Sequence, residues 1–397
     1  MQQMKKILFL TPTLPYPPVS GGVIKSSKVV QFLSERYELT VACLLKNEDK
    51  SFKAEFHHNT RLKNLITLEL NIPRSAKNLL ISNFQHIPLN LYRNKSKTFK
   101  DKIQSIADGF DVIFCDHYVM FQYIPSDYKG KVVLHQHNCE YLIWQRYAAI
   151  EKNWLKKLAL YHQASRIRKY EQEICKNATA VLAAPNDTDE LVKIGADRTK
   201  FYETYHLGDD QLLEQPDLTY EQTERVLLYI GTLSWEANID GLVWFNKEIW
   251  PQVKANHPGI KLVIIGKHAD GRLKEIAKAD NQVELTGFVE NVEPYFRKSR
   301  VFITPLRFGS GIKVKVINAL YRGIPCVTTS IGTEGLKVKD GESIFIKDQP
   351  EAFVKAIDTL LTDKNTWEKI RTNSREIARQ YYTWEAVLEN IERAIND

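Results

Sequence analysis

Short apolar runs recur along the chain, separated by longer stretches in which apolar residues return every three or four positions. The runs predict strands buried on both faces of a parallel sheet, and the stretches predict the helices that cover it. A first series of strands is predicted at Lys6–Thr11, Glu38–Leu44, Leu65–Leu70, Asp111–Asp116, Lys131–His137 and Thr179–Ala184. A second follows at Arg225–Leu233, Lys261–Gly266, Gln282–Gly287, Arg300–Leu306 and Ile324–Thr329. Helices fit between the strands, among them Asn238–His257 and Lys313–Arg322, and the tail from Pro350 reads as two or three more. Between the two series lie His206-Leu207-Gly208-Asp209-Asp210 and the polar stretch Glu214–Glu224, which read as a linker. The pattern predicts an α/β protein of two doubly wound domains, in which loops beyond the carboxyl ends of the strands carry the function.

Charge adds a direction to this picture. The 397 residues hold 55 Lys and Arg against 48 Asp and Glu. Residues 1–205 carry 30 basic and 20 acidic side chains, leaving 25 and 28 for the rest. The first half is therefore suited to an anionic partner. The stretch Arg146–Lys176 holds eight Lys or Arg, with Trp154, Leu158 and Tyr161 at helical spacing. It fits either a helix lying on anionic lipid or an ordinary helix with a solvated basic face. No recognition motif for nucleic acid accompanies the charge, so no nucleic-acid partner is expected. Five scattered cysteines with no Cys-x-x-Cys pair argue against a disulfide framework and a structural zinc site, and favour a reducing, cytoplasmic setting. The four apolar residues Ile7–Leu10 are too few for a signal peptide, and no run approaches the ~18 needed to span a bilayer.

Candidate chemistry sits at strand ends. After the first strand, Val19-Ser20-Gly21-Gly22 precedes a helix, where paired glycines let backbone N–H groups approach an anion, although a plain turn fits as well. The spacing is neither that of a dinucleotide fingerprint nor that of a phosphate-binding P-loop. His135 and His137 share a face of one strand; they lack a third metal ligand in the sequence, and His137, like His117, stands at a strand end. Asp187-Thr188-Asp189 has the two carboxylates of a metal-binding pair, but it opens a helix where Asn186 is expected to cap and the acids to complement the dipole. Gly309, Ser310 and Gly311 stand before a predicted helix whose start carries Lys313 and Lys315, an arrangement suited to a diphosphate.

Taken in order, these segments resemble the family 4 retaining glycosyltransferases. The likeness spans nearly the whole chain and rests on the Gly-Gly loop, His137-Asn138-Cys139-Glu140, Ile230–Leu242, Val283–Phe296, the run from Pro305 to Lys315, and Gly332-Thr333-Glu334-Gly335-Leu336. Trp235 with Asn238, and Arg307 before Gly-Ser-Gly, resemble a bacterial subgroup of surface-polysaccharide assembly. The resemblance implies a GT-B fold, two Rossmann-like domains facing each other across a cleft. It divides the chain into an acceptor-side domain 1–208, a nucleotide-sugar domain 209–380 and a tail 381–397 crossing back. It implies Gly21 and Gly22 facing the donor diphosphate, His137 near the acceptor, and Gly287, Phe288 and Val289 walling the nucleobase. Gly231, Arg307, Gly309, Ser310, Gly311 and Asn318 would complete the donor site, with Lys313 beside the diphosphate as a catalytic cation. The chain departs from the family's donor residues at Thr232, Ala237, Ser310 and Asn318. The implied activity moves a sugar from a UDP- or GDP-linked donor to a glycan or lipid-linked acceptor, without metal or cofactor, at the cytoplasmic face of the membrane. Two alternatives are a degenerate relative that binds nucleotide or glycan without turnover, and a nucleotide-sugar epimerase on the same architecture.

Overall fold

The computed structural model describes residues 4–18, 21–73, 75–205, 207–309 and 311–397. Ser310 and the Val19-Ser20 part of the first glycine loop lie outside the described residues. Two compact units form: Met1–His206 with Glu385–Asp397, and Leu207–Trp384.

The first unit is built on strands β1 (Lys6–Thr11), β2 (Glu38–Leu45), β3 (Asn64–Glu69), β4 (Val112–Asp116), β5 (Lys131–His135), β6 (Ala180–Ala183) and β7 (Phe201–Glu203). They pair in parallel in the order β3-β2-β1-β4-β5-β6-β7. β1, β4 and β6 are buried along nearly their whole length, as their continuous apolar sequences require. Phe9 and Phe114 stack across β1 and β4 with centroids 5.1 Å apart, while Leu8, Leu10, Ile113, Leu134 and Val181 fill the layer on the other face. The helix Trp384–Asn396 closes this unit, with Asn396 bonded to Lys5 and Tyr37.

The second unit carries β8 (Glu224–Ile230), β9 (Lys261–Ile265), β10 (Val283–Gly287), β11 (Ser299–Thr304), β12 (Cys326–Thr328) and β13 (Phe345–Ile346), parallel in the order β10-β9-β8-β11-β12-β13. Both units are thus doubly wound Rossmann-like sheets. In each the chain reverses its order of winding once, between β1 and β4 and between β8 and β11. Ligands bind such folds beyond the carboxyl ends of the strands at that switch point.

Local departures from the sequence pattern have physical causes. The helix expected over 238–257 is two, Glu236–Glu248 and Trp250–Asn256. Pro251 removes a backbone donor and restricts the residue before it, and the chain breaks there. The stretch read as a linker is instead fixed on the second unit. Leu212 and Leu218 are buried, Arg322 donates to the Pro216 carbonyl at 2.8 Å, and Arg375 donates to the carbonyls of Gln215 and Leu213. All five cysteines are buried and free.

Candidate functional site

At the switch point of the first unit, the helix Gly21–Arg36 starts beyond β1, and His117 follows β4. β5 ends at His135 instead of running to His137, which places His137 in the turn leading to the helix Glu140–Ile150. Parallel pairing sets Asp116 of β4 directly beside His135 of β5. Asp116 Oδ1 accepts from His135 Nδ1 at 2.8 Å and from His137 Nε2 at 2.7 Å, and Ser26 Oγ donates to Oδ2 at 2.6 Å. Burial alone would raise the Asp116 carboxyl, but the electrostatic pull of His137 and the hydrogen bonds of both imidazoles hold it well below the carboxylate range. An ionised carboxylate only accepts, so both imidazoles carry their proton on the nitrogen facing it. Burial, with Lys25 nearby, lowers His135 to about 3, and burial with His137 nearby lowers His117 to about 3. Lys25 is itself buried and is lowered by that burial to about 7, against the pull of Asp116 and Asp187.

Asp116 is the third ligand type that the sequence did not reveal. Its carboxylate and the two imidazoles offer donor atoms within 4.8 Å of one another, all buried. Their chemistry suits a transition-metal ion. In this arrangement, however, the two imidazole N–H groups are spent on one oxygen of Asp116, and a buried ammonium lies close enough to interact with it.

The turn that carries His137 is held from below by a residue with no motif to announce it. Glu171, on the helix Trp154–Asn177, accepts from Gln136 Nε2 and the backbone N–H of Glu140 at 2.8 Å and from that of Tyr141 at 2.9 Å. Burial pushes its carboxyl up to about 8 even so. Gly22 lies on the Nδ1 side of His137; a Cβ added there would meet that atom at 3.8 Å. The structure therefore brings the start of the glycine-loop helix, Asp116 and His137 into one cluster. Asp187 is buried and close enough to Lys25 to act on its charge, whereas Asp189 is exposed. The helix Pro185–Lys193 is entered from Ala184 with no side-chain cap, Asn186 donates to Asp187 Oδ1 at 3.3 Å instead of capping, and Asp189 pairs with Arg198 at 2.7 Å. The expected Asn186 cap is therefore corrected: Pro185 occupies the first turn and moves the cap position one residue earlier.

At the switch point of the second unit, Gly231 follows β8 and the loop Pro305–Lys313 follows β11. The backbones crowd here: a Cβ on Gly266 would lie 1.9 Å from the Gly231 carbonyl oxygen. Gly309 and Gly311 have φ of +144° and +72°, in the region where only glycine sits without strain. The helix Val314–Arg322 begins at once. Lys315 is half-buried, and its Nζ donates to Tyr229 Oη at 2.7 Å and Asn238 Oδ1 at 2.5 Å, both uncharged. Asn238 is fixed in turn by donating from Nδ2 to the Thr232 carbonyl at 2.8 Å. Burial, with Lys313 nearby, lowers Lys315 to about 7. A Cβ on Gly231 would lie 3.0 Å from its Nζ. A desolvated cation, a helix N-terminus and a glycine backbone converge there, which is what an oligophosphate requires.

The other expected donor groups have protein partners. Lys313 is buried with Nζ 3.3 Å from Glu334 Oε2. Arg307 forms a two-point ion pair with Asp240, with Nε to Oδ2 at 2.9 Å. Asn318 Oδ1 accepts the backbone N–H of Asp209 at 3.0 Å, so close to Gly208 that a Cβ there would overlap it at 1.6 Å. Gly287 ends β10 with φ +75°. Phe288 beyond it is exposed under Lys267, whose Nζ is 3.9 Å from the ring centroid, and Val289 is half-buried.

Residues 224–363 match the family described as "Glycosyl transferases group 1". An uncharacterised 44.6 kDa protein in the cps region of Klebsiella pneumoniae is 22% identical, across 98% of this chain and 99% of its own length. A putative glycosyltransferase of Bacillus subtilis, YtcC, is also 22% identical, across 96% and 89%. Among solved structures, Anabaena Alr3699/HepE in complex with UDP and glucose covers 99% of both chains at a TM-score of 0.69 and 14% identity. TarM covers 100% and 99% at a TM-score of 0.68 and 12% identity. The chain is a glycosyltransferase of GT-B fold. Its matched segment begins at β8 and contains Lys315, Asn238 and both glycines of the loop after β11.

Proposed function

We propose that this glycosyltransferase takes a sugar from a UDP- or GDP-linked donor and transfers it, with retention of configuration, to a glycan or lipid-linked acceptor in surface-polysaccharide assembly. Lys315 carries the reading: a half-buried ammonium held by neutral oxygens at a helix start is completed by the diphosphate of a nucleotide-sugar. As the glycosidic bond to that diphosphate breaks, negative charge grows on the leaving oxygens, and a fixed cation and helix N-terminus stabilise it without reorganising. His137 belongs to the acceptor side, its tautomer fixed by Asp116. Gly287, Phe288 and Val289 border the nucleobase. The cps-region relative, the UDP-glucose complex of HepE and the UDP and alpha-GlcNAc-glycerol complex of TarM support this choice of donor and acceptor class. We place the protein at the cytoplasmic face of the membrane; no helix among the described residues is long and apolar enough to cross one.

The reading calls for no metal ion. Activity is expected to persist in EDTA; loss restored by Mn²⁺ or Zn²⁺ would instead make Asp116, His135 and His137 ligands. The engagement of Lys313, Arg307 and Asn318 by protein groups favours a second reading, a protein that binds nucleotide without turnover. Titration calorimetry with UDP and GDP followed by a donor-hydrolysis assay separates them. Binding with turnover supports the enzyme, binding without turnover for any donor supports the second reading, and interconversion of sugar epimers would overturn both.

A further inference from the structure

We propose that the face shared by the helices Trp154–Asn177 and Ala76–Phe84 docks on an anionic lipid bilayer, seating an acidic headgroup in the cavity beside them. The proposal deepens the membrane-side placement above. The helix Trp154–Asn177 buries Leu160, Ala164, Ile167 and Ile174 against the first unit. Its opposite face presents Trp154, Leu155 and Leu158, which are 71%, 59% and 63% exposed. The helix Ala76–Phe84 lies alongside, tied on by Asn83, which accepts from Gln163 Nε2 at 3.1 Å and Arg166 Nη1 at 2.9 Å. It adds Leu80 and Phe84, 69% and 88% exposed. A monomer rarely leaves so many large apolar side chains together in water without a use for them.

The same face of the long helix runs on, one turn at a time, into a cavity of about 610 Å³ lined by His86, Lys95, His162, Arg166, Lys169 and Glu173. Three permanent cations face one carboxylate there. Arg166 donates only to neutral acceptors, and neither Lys95 nor Lys169 pairs with a carboxylate among the described residues. An apolar strip that enters the acyl boundary beside a basic pocket at headgroup level is the arrangement that binds acidic lipid. A second copy of the chain fits less well, because a self-complementary contact would set this basic face against the same basic face.

The test uses the full chain and vesicles of phosphatidylcholine with or without phosphatidylglycerol. Co-sedimentation is expected with the anionic vesicles, weakening with added salt because exposed charges are screened. A blue shift that is lost in Trp154→Phe would report entry of that ring. Trp154→Ser with Leu158→Ser, and separately Lys95→Glu with Lys169→Glu, are expected to lower binding about tenfold or more while leaving donor hydrolysis unchanged. If the wild type binds and these variants bind equally well, the docking face is wrong and membrane placement stands. If the wild type ignores anionic vesicles, both fail. Equal binding to phosphatidylcholine alone would remove the headgroup pocket. A dimer dissociated by the serine substitutions would give the face to a second copy and overturn the proposal.

Discussion

Lys315 sets its amine against neutral oxygens, with no carboxylate paired to it among the described residues, and that makes it informative. Burial lowers it to about 7, so in the free protein near neutral pH it is only partly charged. A bound diphosphate favours the charged form and raises the pKa, so nucleotide affinity is expected to fall as pH rises from 7.5 to 9, by up to about tenfold per unit. Calorimetry with UDP at the two pH values checks this, and Lys315→Met should flatten the profile. The same substitution is expected to weaken UDP binding about tenfold or more while leaving stability equal or higher, since an apolar chain suits that site better than a desolvated ammonium. Asp116 acts on His137 at one remove. Asp116→Asn keeps the shape but can accept only through one atom, so the His137 tautomer is no longer fixed; kcat should drop ~10²-fold with little change in nucleotide affinity. The sequence pointed to His137 and to the lysines after Gly311 because both stand at ends of recognisable elements. It was silent on Asp116 as the partner of His137, since only strand pairing sets β4 beside β5. It was equally silent on Asn318 being engaged by the Asp209 backbone, a contact made over 109 positions of chain.

At the scale of elements, the helices hold the site more than they line it. Glu171 reaches from one helix to the N-terminal N–H groups of another and so fixes the turn bearing His137. Glu171→Ala strands two backbone donors and the Gln136 amide, and urea unfolding should show a loss of about 2–4 kcal/mol. Turnover should fall as well, through misplacement of His137, and Glu171→Gln should recover most of the stability by keeping acceptance at one oxygen. In the second unit, Gly311→Ala places a Cβ at φ +72°, which costs about 1–2 kcal/mol and displaces the helix start from the diphosphate. Most strands were legible because a doubly buried strand must be apolar along its length; β1 coincides with its expected range. The edge strands β7 and β13, of three and two residues, are too short to leave such a run. The stretch after β7 looked like a linker because it is polar and holds Gly208. Its order comes from Arg322 and Arg375, more than a hundred residues away, donating to its carbonyls.

For the whole molecule, the two switch points each gather buried titratable groups, and their linkage to folding shapes its response to pH. Fold class was readable from the restart of the strand series, but this behaviour was not, because it depends on which charges the fold removes from water. His117 and His135, lowered to about 3, stay neutral in the folded chain where the unfolded chain takes up protons below about 6.5. Each therefore leaves stability intact above pH 6.5 and removes it progressively as pH falls toward 3. Glu171, raised to about 8, works in the opposite direction between its ordinary range and pH 8, keeping a proton that the unfolded chain has released. The net curve is flattened by this opposition, so single contributions are best read as differences between variants. His117 is the cleanest choice: it is half-buried, and its imidazole lies 5.4 Å from that of His137, centroid to centroid. Replacing it with asparagine removes one titrating base and no other. Relative to wild type, His117→Asn is expected to gain about 1.4 kcal/mol between pH 7.5 and pH 5.5 in urea unfolding, whatever its offset at the higher pH. An unchanged difference across that interval would mean that His117 is protonated in the folded chain at pH 5.5, and that the cluster around Asp116 is open to water.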